Sequence, residues 1–270
     1  MTRTNNEMLE LFESALAQLR MPEEPELLYM PIIYSMSGGG KRLRPVLLLL
    51  SAEVFGGSAE EAMPAALAVE IFHNFTLLHD DIMDNADVRR GKPSVYAKWG
   101  GNVALLSGDA MLITAYKYLS RIPSAVLPRV MNIFTDMALE VCEGQQYDMD
   151  FETMSKVSVE EYMQMIERKT SALLSGSAMI GATMAGASEE DIKKIYRFAT
   201  ELGLALQLQD VVVVPVLLGV EFVGAAKIRS HSRGVLLGLC VKPHVVVYGG
   251  IIGIEGVAEL YYGFGLFYLL

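Results

Sequence analysis

Through the first 210 residues apolar side chains recur at intervals of three and four, and apolar–polar alternation never persists. Leu9, Phe12, Leu16 and Leu19 form one such stripe. Pro45 suits the first turn of a helix through VLLLLSAEVF, which Gly56-Gly57 would close. A long helix is expected from Met63 to Asp84, carrying Leu67, Ile71, Thr76 and Leu78 and ending in a run of carboxylates. Further helices are expected over 103–119, 125–147, 159–185 and 189–209, most of them separated by Gly, Pro or Ser. Helices of this length with no convincing strand predict an all-α, multi-helix bundle. Each is apolar on more than one face, so several should be central. Neither a repeat nor a linker interrupts the chain, which predicts one domain over residues 1–270.

The pattern changes at residue 210. All 16 Met, 10 Asp, 9 Thr, 6 Asn and 6 Gln precede residue 211, after which come Val- and Gly-rich strings such as VVVVPVLLGV. Chemistry is therefore sought before that point. The last 26 residues, from Val245, are apolar, but Glu255 and Glu259 fall mid-span and glycine recurs, so no membrane span is expected. The start, MTRTNNEMLE, lacks the apolar stretch of a signal peptide. A net charge of -10 argues against nucleic acid as a partner. Two cysteines, Cys142 and Cys240, have neither a disulfide framework nor metal-ligand spacing, so a cytoplasmic location is expected. Cys142, Trp99 and the methionines are expected as core filler.

Within the acidic chain, cations are concentrated at Lys41–Arg44 and Arg89–Lys92. Between them, Asp80-Asp81-Ile82-Met83-Asp84 ends the long helix. Asp80 and Asp84 are four apart, so on a helix they share a face about 6 Å apart. Carboxylates at a helix C-terminus oppose its dipole, at a cost of about 0.3–1 kcal/mol each. Three together call for a cation. Mg²⁺ fits, since it takes one or two carboxylates plus substrate phosphates. The alternative is a solvated acidic helix end. Gly38-Gly39-Gly40-Lys41-Arg42-Leu43-Arg44-Pro45 is a glycine loop leading three cations into a helix, suited to an anion but lacking Walker A spacing. A solvated basic turn would read the same way. His73 and His79 lack the spacing of a zinc pair. Lys169-Thr170 could close over a phosphate or lie on the surface. Gln207 and Asp210 are a polar pair in an apolar segment, which suggests a cleft.

Taken together, GGGKRLRP, EIFHNFTLLHDDIMDNADVRRGKPS, ERKTS and LGLALQLQD closely resemble the trans-isoprenyl diphosphate synthases, the polyprenyl synthetase family, of short-chain geranylgeranyl or farnesyl type. The resemblance covers about residues 7–210. It implies an all-helical isoprenoid synthase fold around a central cavity, usually a homodimer, and Mg²⁺-dependent head-to-tail condensation of isopentenyl diphosphate with an allylic diphosphate. Two or three Mg²⁺ ions would bind with the substrate diphosphate. By resemblance, Asp80, Asp84, Arg89 and Lys169 are catalytic, and Asp80, Asp81, Asp84 and Asp210 belong to the metal sites. Arg89, Lys169, Thr170 and Gln207 match positions for the allylic diphosphate, and Lys41, Arg44, His73 and Arg90 match those for isopentenyl diphosphate. Phe75, Thr76 and, one turn further, Phe72 match positions that set chain length, and imply a C20 product rather than C15.

The chain departs from the family at one place. A second aspartate motif should begin at Asp210, yet Val211 and Val214 stand where carboxylates are implied. The valines fit a second reading, a non-catalytic partner subunit of a heteromeric synthase, and the shared DDxxD allows a third, a terpene cyclase. A cyclase has no second diphosphate and so no need of GGGKRLRP or Arg90.

Overall fold

The computed structural model describes residues 3–217, with side chains as far as Gln207, and two short strands beyond. The fold is all-α, as the periodicity predicts. Helix α1 (Asn5–Ala17) opens on a Thr4–Glu7 capping box and buries Met8 and Phe12; Leu19 lies past its end. Helix α2 (Glu26–Met36), with Pro31 inside it, has no counterpart in the sequence reading. Helix α3 (Leu43–Val54) holds Pro45 in its first turn, and Gly56 follows its end at φ 83°. Helix α4 (Ala59–Met83) starts four residues earlier than expected because Ser58 caps it, its hydroxyl accepting from the Glu61 N–H.

A two-residue hairpin follows, β1 (Val88–Arg89) and β2 (Lys92–Pro93), then α5 (Val95–Trp99) and α6 (Gly101–Leu119). Helix α7 (Leu127–Phe151) extends past its expected end. The helix expected over 159–185 is not uniform. It is α8 (Val159–Ile166), a π turn (Glu167–Ser171) and α9 (Ala172–Met184), the turn falling on ERKTS. Helix α10 (Glu189–Leu217) follows, with strands β3 (Ala226–Ile228) and β4 (Val235–Leu237) paired antiparallel beyond it.

The described residues form two compact units, one up to Ala138 with Leu173–Tyr196, the other Leu139–Ala172 with those from Arg197 onward. In the first, α4 is the central element, buried at Ala62, Ala65, Ala66, Ala68, Val69 and Phe72. Small side chains let α6 approach closely. At Gly108 on α6 an added Cβ would lie 2.3 Å from His79 Nε2, so this contact requires glycine. Likewise Gly181 of α9 lies against the Leu48 carbonyl of α3. In the second unit, Phe151, Val157, Met165 and Ile166 form a core joined by Leu204. Cys142 is exposed, contrary to its expected place in the core, because it lies on a face of α7 flanked by the exposed Glu143 and Leu139. Trp99 is only half-buried, its ring edge-on to Tyr34 at 5.1 Å. Among the described residues no helix is long and apolar enough to cross a membrane.

Candidate active site

The last turn of α4 places the three carboxylates, and its ending is specified locally. Asn85 takes the left-handed conformation at φ 48°, its N–H reaches the Ile82 carbonyl at 3.3 Å, and the Ala86 N–H reaches that of Asp81 at 2.9 Å. These are the two bonds of a Schellman ending, with asparagine in the position glycine usually fills. Asp84 caps the helix, its N–H bonded to the Asp80 carbonyl at 2.9 Å. The chain then turns back through the β1–β2 hairpin, whose central residues Arg90 and Gly91 have φ of 53° and 75°. Positive φ at both is the signature of a type I′ turn, matched to strand twist. Ser94 donates to the Ala86 carbonyl at 2.5 Å, and the Tyr34 hydroxyl donates to that of Pro93 at 2.8 Å, fixing the hairpin base.

The hairpin's adjacent arginines have different neighbours. Arg89 donates through Nε and Nη2 to Asp81 Oδ1, at 2.8 and 2.5 Å, and through Nη2 to Asp80 Oδ2 at 3.4 Å. Burial pushes the Asp81 carboxyl up, Arg89 pulls it back, and the Asp80 charge adds to the rise. The Arg90 guanidinium instead lies on the glycine loop, donating to the Gly39 carbonyl and sitting where a Gly40 side chain would begin. Arg44 donates from Nη1 to His73 Nε2 at 3.2 Å, so the ring is an acceptor there. Burial, and then the charges of Arg44, Arg90, Arg42 and Arg89, hold His73 well below 6.5, and it is neutral. Burial also pushes Arg44 down to about 10, partly offset by Glu70, which leaves it charged. Arg44 Nε is buried with no partner among the described residues.

Asp81, Arg89 and Arg90 line an open cleft together with Gly38, Asn74 and Lys92, among others. Asn74, Leu77, Leu78 and Asp81 are the α4 residues on it, a single helical face. Phe75 and Thr76 are not on that face. Phe75 packs edge-on to His79 at 4.6 Å and tilted on Phe72 at 5.5 Å, and Phe72 continues to Phe134 at 5.3 Å. Thr76 turns its hydroxyl to the His73 carbonyl.

In the second unit, Lys169 and Thr170 lie on the π turn. Lys169 Nζ pairs with Asp148 at 2.5 Å, and Arg168 pairs with Glu143. Two glycines admit the turn: a Cβ at Gly144 would meet the Lys169 amide nitrogen at 2.2 Å, and one at Gly203 would meet Ser171 Oγ at 2.5 Å. Gln207 is half-buried on α10. The side chains of Asp210, Val211 and Val214 lie outside the described residues.

Residues 25–213 match the Polyprenyl synthetase family. The chain belongs to the polyprenyl synthetase family. It is 44% identical over 201 residues to a geranylgeranyl diphosphate synthase of Methanosarcina mazei, covering 73% of this chain and 62% of that one. It is 42% identical to one from Sulfolobus acidocaldarius, covering 68% and 57%. Among solved structures, a geranylgeranyl pyrophosphate synthetase from Pyrococcus horikoshii superposes with a TM-score of 0.72 at 31% identity, covering 97% of this chain and 82% of that one. A geranylgeranyl pyrophosphate synthase at 49% identity gives 0.75, covering 77% and 64%. The chain spans about three fifths of the length of the first named relatives it matches.

Within the first unit Arg89 meets Asp80 and Asp81, Arg44 meets His73, and Arg90 meets the glycine loop; Asp84 caps the same helix end and Lys41 is exposed on the loop. Arg42, counted among the loop's cations, is instead buried at 5% exposure and turned inward to Glu13 and Glu70. Glu70 and Asn74 beside Arg42 in the first unit, and Asp148, Gly144 and Gly203 beside the π turn in the second, are neighbours that sequence reasoning missed. The i, i+4 spacing of Glu70 and Asn74 on an apolar helix was the one available signal.

Proposed function

We propose that this chain condenses isopentenyl diphosphate head-to-tail with an allylic diphosphate, giving a short-chain prenyl diphosphate, C20 rather than C15. The observation that carries the reading is the divergence of Arg89 and Arg90: neighbours in one hairpin, they serve the carboxylate turn and the glycine loop respectively. Two anionic substrates held side by side need such a divided set of cations.

The carboxylates fit Mg²⁺. Asp81 is engaged by Arg89, and among the described residues no three of His, Cys, Asp and Glu gather as a ligand set. A cation there would be held by Asp80 and Asp84 and completed by diphosphate oxygens and water, which suits Mg²⁺ and not an all-protein cage. When bound, two or three such ions would neutralise charge on the departing diphosphate. By the family resemblance Arg89, and Lys169, Thr170 and Gln207 of the second unit, are assigned to the allylic diphosphate, and the positive charge of Arg89 and Lys169 favours heterolysis of the allylic C–O bond. Lys41, Arg44 and Arg90 take isopentenyl diphosphate, with neutral His73 orienting Arg44. The buried Nε–H of Arg44 supports an anion here, because an unpaired buried donor otherwise costs about 1–3 kcal/mol. The isopentenyl double bond attacks the allylic carbon, a carbon–carbon bond forms, and the C2 proton leaves to the released diphosphate. Holding both substrates makes the step effectively intramolecular. A cytoplasmic, homodimeric enzyme of one catalytic domain is the form the family resemblance implies.

Val211 and Val214 favour a second reading, a partner subunit silent alone. Incubating the purified chain with Mg²⁺, isopentenyl diphosphate and farnesyl diphosphate decides between them. A C20 product supports the condensation, and no product at any enzyme concentration supports the partner subunit.

A further inference from the structure

We propose that Arg42, Glu70 and Asn74 are a buried positioning set that selects one shape of the glycine loop, the shape in which Lys41 and Arg44 receive isopentenyl diphosphate. It rests on the reading of that subsite given above and adds three buried residues that act through the loop. Gly38-Gly39-Gly40 has little conformational preference of its own, and Gly39 and Gly40 take φ of 74° and 149°. Something else must choose the loop's course.

Arg42 supplies that choice. Its backbone is left-handed at φ 49°, a conformation an arginine adopts only when surrounding contacts demand it. The contacts are three. Nε donates to Glu13 at 2.9 Å, Nη1 to Glu70 at 2.6 Å and Nη2 to the Met36 carbonyl at 3.2 Å. Glu70 is 2% exposed and also accepts from Asn74 Nδ2 at 3.1 Å; that same amide bonds the Glu70 carbonyl at 2.9 Å. The fork thus ties the loop to α1, α2 and α4 at once. With Arg42 drawn inward, Lys41 on one side is left exposed and Arg44 on the other reaches His73. Asn74 continues to the cleft that Arg89 and Arg90 line. A buried ion pair is a weak source of stability compared with apolar packing, so its retention here fits a role in specifying geometry.

Positioning and simple electrostatics predict opposite signs. Glu70→Gln and Glu13→Gln each remove a negative charge near a cationic site, which by charge alone would tighten anion binding. Positioning predicts the reverse. Isopentenyl diphosphate is titrated alone, by calorimetry, into the full chain and its variants. The expected result is binding about 10-fold weaker in Glu70→Gln and about 3-fold weaker in Glu13→Gln, with farnesyl diphosphate affinity in Mg²⁺ changed less than about 2-fold. Arg42→Lys, which keeps the charge and loses the fork, should resemble Glu70→Gln. Glu13 is the half-exposed partner, so its variant folds even where a buried one does not, and it then decides alone. Unchanged or tighter isopentenyl diphosphate binding in a folded variant overturns the proposal, as does equal loss of both ligands. The titration needs no turnover, so a wild-type chain that makes no product counts against the condensation alone.

Discussion

At the residue scale the site depends on keeping charge states apart that proximity would mix. His73 sits among four arginines and accepts from one of them, so its neutral ring is part of the design. This has a consequence for stability. Below pH 6.5 an unfolded chain protonates this histidine, while the folded protein refuses the proton until far lower pH. Stability therefore falls as pH drops through 6.5, with a slope that approaches about 1.4 kcal/mol per unit below it. Asp81, displaced upward by burial, works in the opposite direction, but its contribution appears only near the carboxylate range. Urea unfolding of wild type and His73→Gln between pH 6.5 and 5.5 tests this. Glutamine keeps an acceptor for Arg44 and cannot titrate, so the variant's profile should be flatter. Equal slopes would show that His73 takes up its proton normally when folded. Little of this was visible in the sequence. The basic residues could be counted, but Arg42 finds its carboxylates 28 and 29 positions away, and nothing local marks it as buried.

At the element scale, what was legible followed from period. Helix α4 showed itself through its apolar run, and its end through the carboxylates; the left-handed Asn85 that closes it was not read. The π turn did not show itself, because widening one turn shifts the apolar register too little to break a helical pattern. Its placement needs Gly144 and Gly203, which packing alone explains. Such turns recur at functional sites, and this one presents Lys169 and Thr170. Gly144→Ala should destabilise the protein by about 1–3 kcal/mol through overpacking. It should also lower turnover about 10²-fold by moving Lys169, since displacements near 1 Å suffice for that. A normal urea midpoint with normal turnover would mean that the turn absorbs the methyl freely. The aromatic column on α4 gives a second expectation at this scale. Phe75 covers Phe72, which is itself fixed against Phe134. Phe75→Ala should lengthen the product beyond C20, with Phe72 as the next stop. If chromatography shows an unchanged product, Phe75 is not the floor. The two-residue hairpin strands were too short for any alternation to reveal, and the turn at Arg90-Gly91 went unread.

At the scale of the whole molecule, the proposed condensation poses a question of charge balance: two diphosphates in a chain whose net charge is -10. The basic cleft offsets that locally, and the first aspartate turn supplies two carboxylates for cations. By the family resemblance a second aspartate motif, on the helix α10 backbone at 210, 211 and 214, would supply the rest. Positions 207, 211 and 214 share a face, and 210 and 214 are one turn apart. With valine at 211 and 214, Asp210 is left as one carboxylate where the family resemblance implies three. A divalent ion bound there would lose most of its anionic ligands and, with them, much of its hold on the leaving diphosphate. Turnover should therefore lie orders of magnitude below that of a chain with both carboxylates. The measurement is a comparison of the chain as it stands with Val211→Asp/Val214→Asp, at saturating substrates over a range of Mg²⁺. Restoring both should raise kcat by about 10²-fold or more, the scale of removing one preorganised transition-state contact, and lower the Mg²⁺ needed for half-maximal rate. Equal rates would mean that Asp80, Asp84 and the arginines neutralise the departing charge without help from α10.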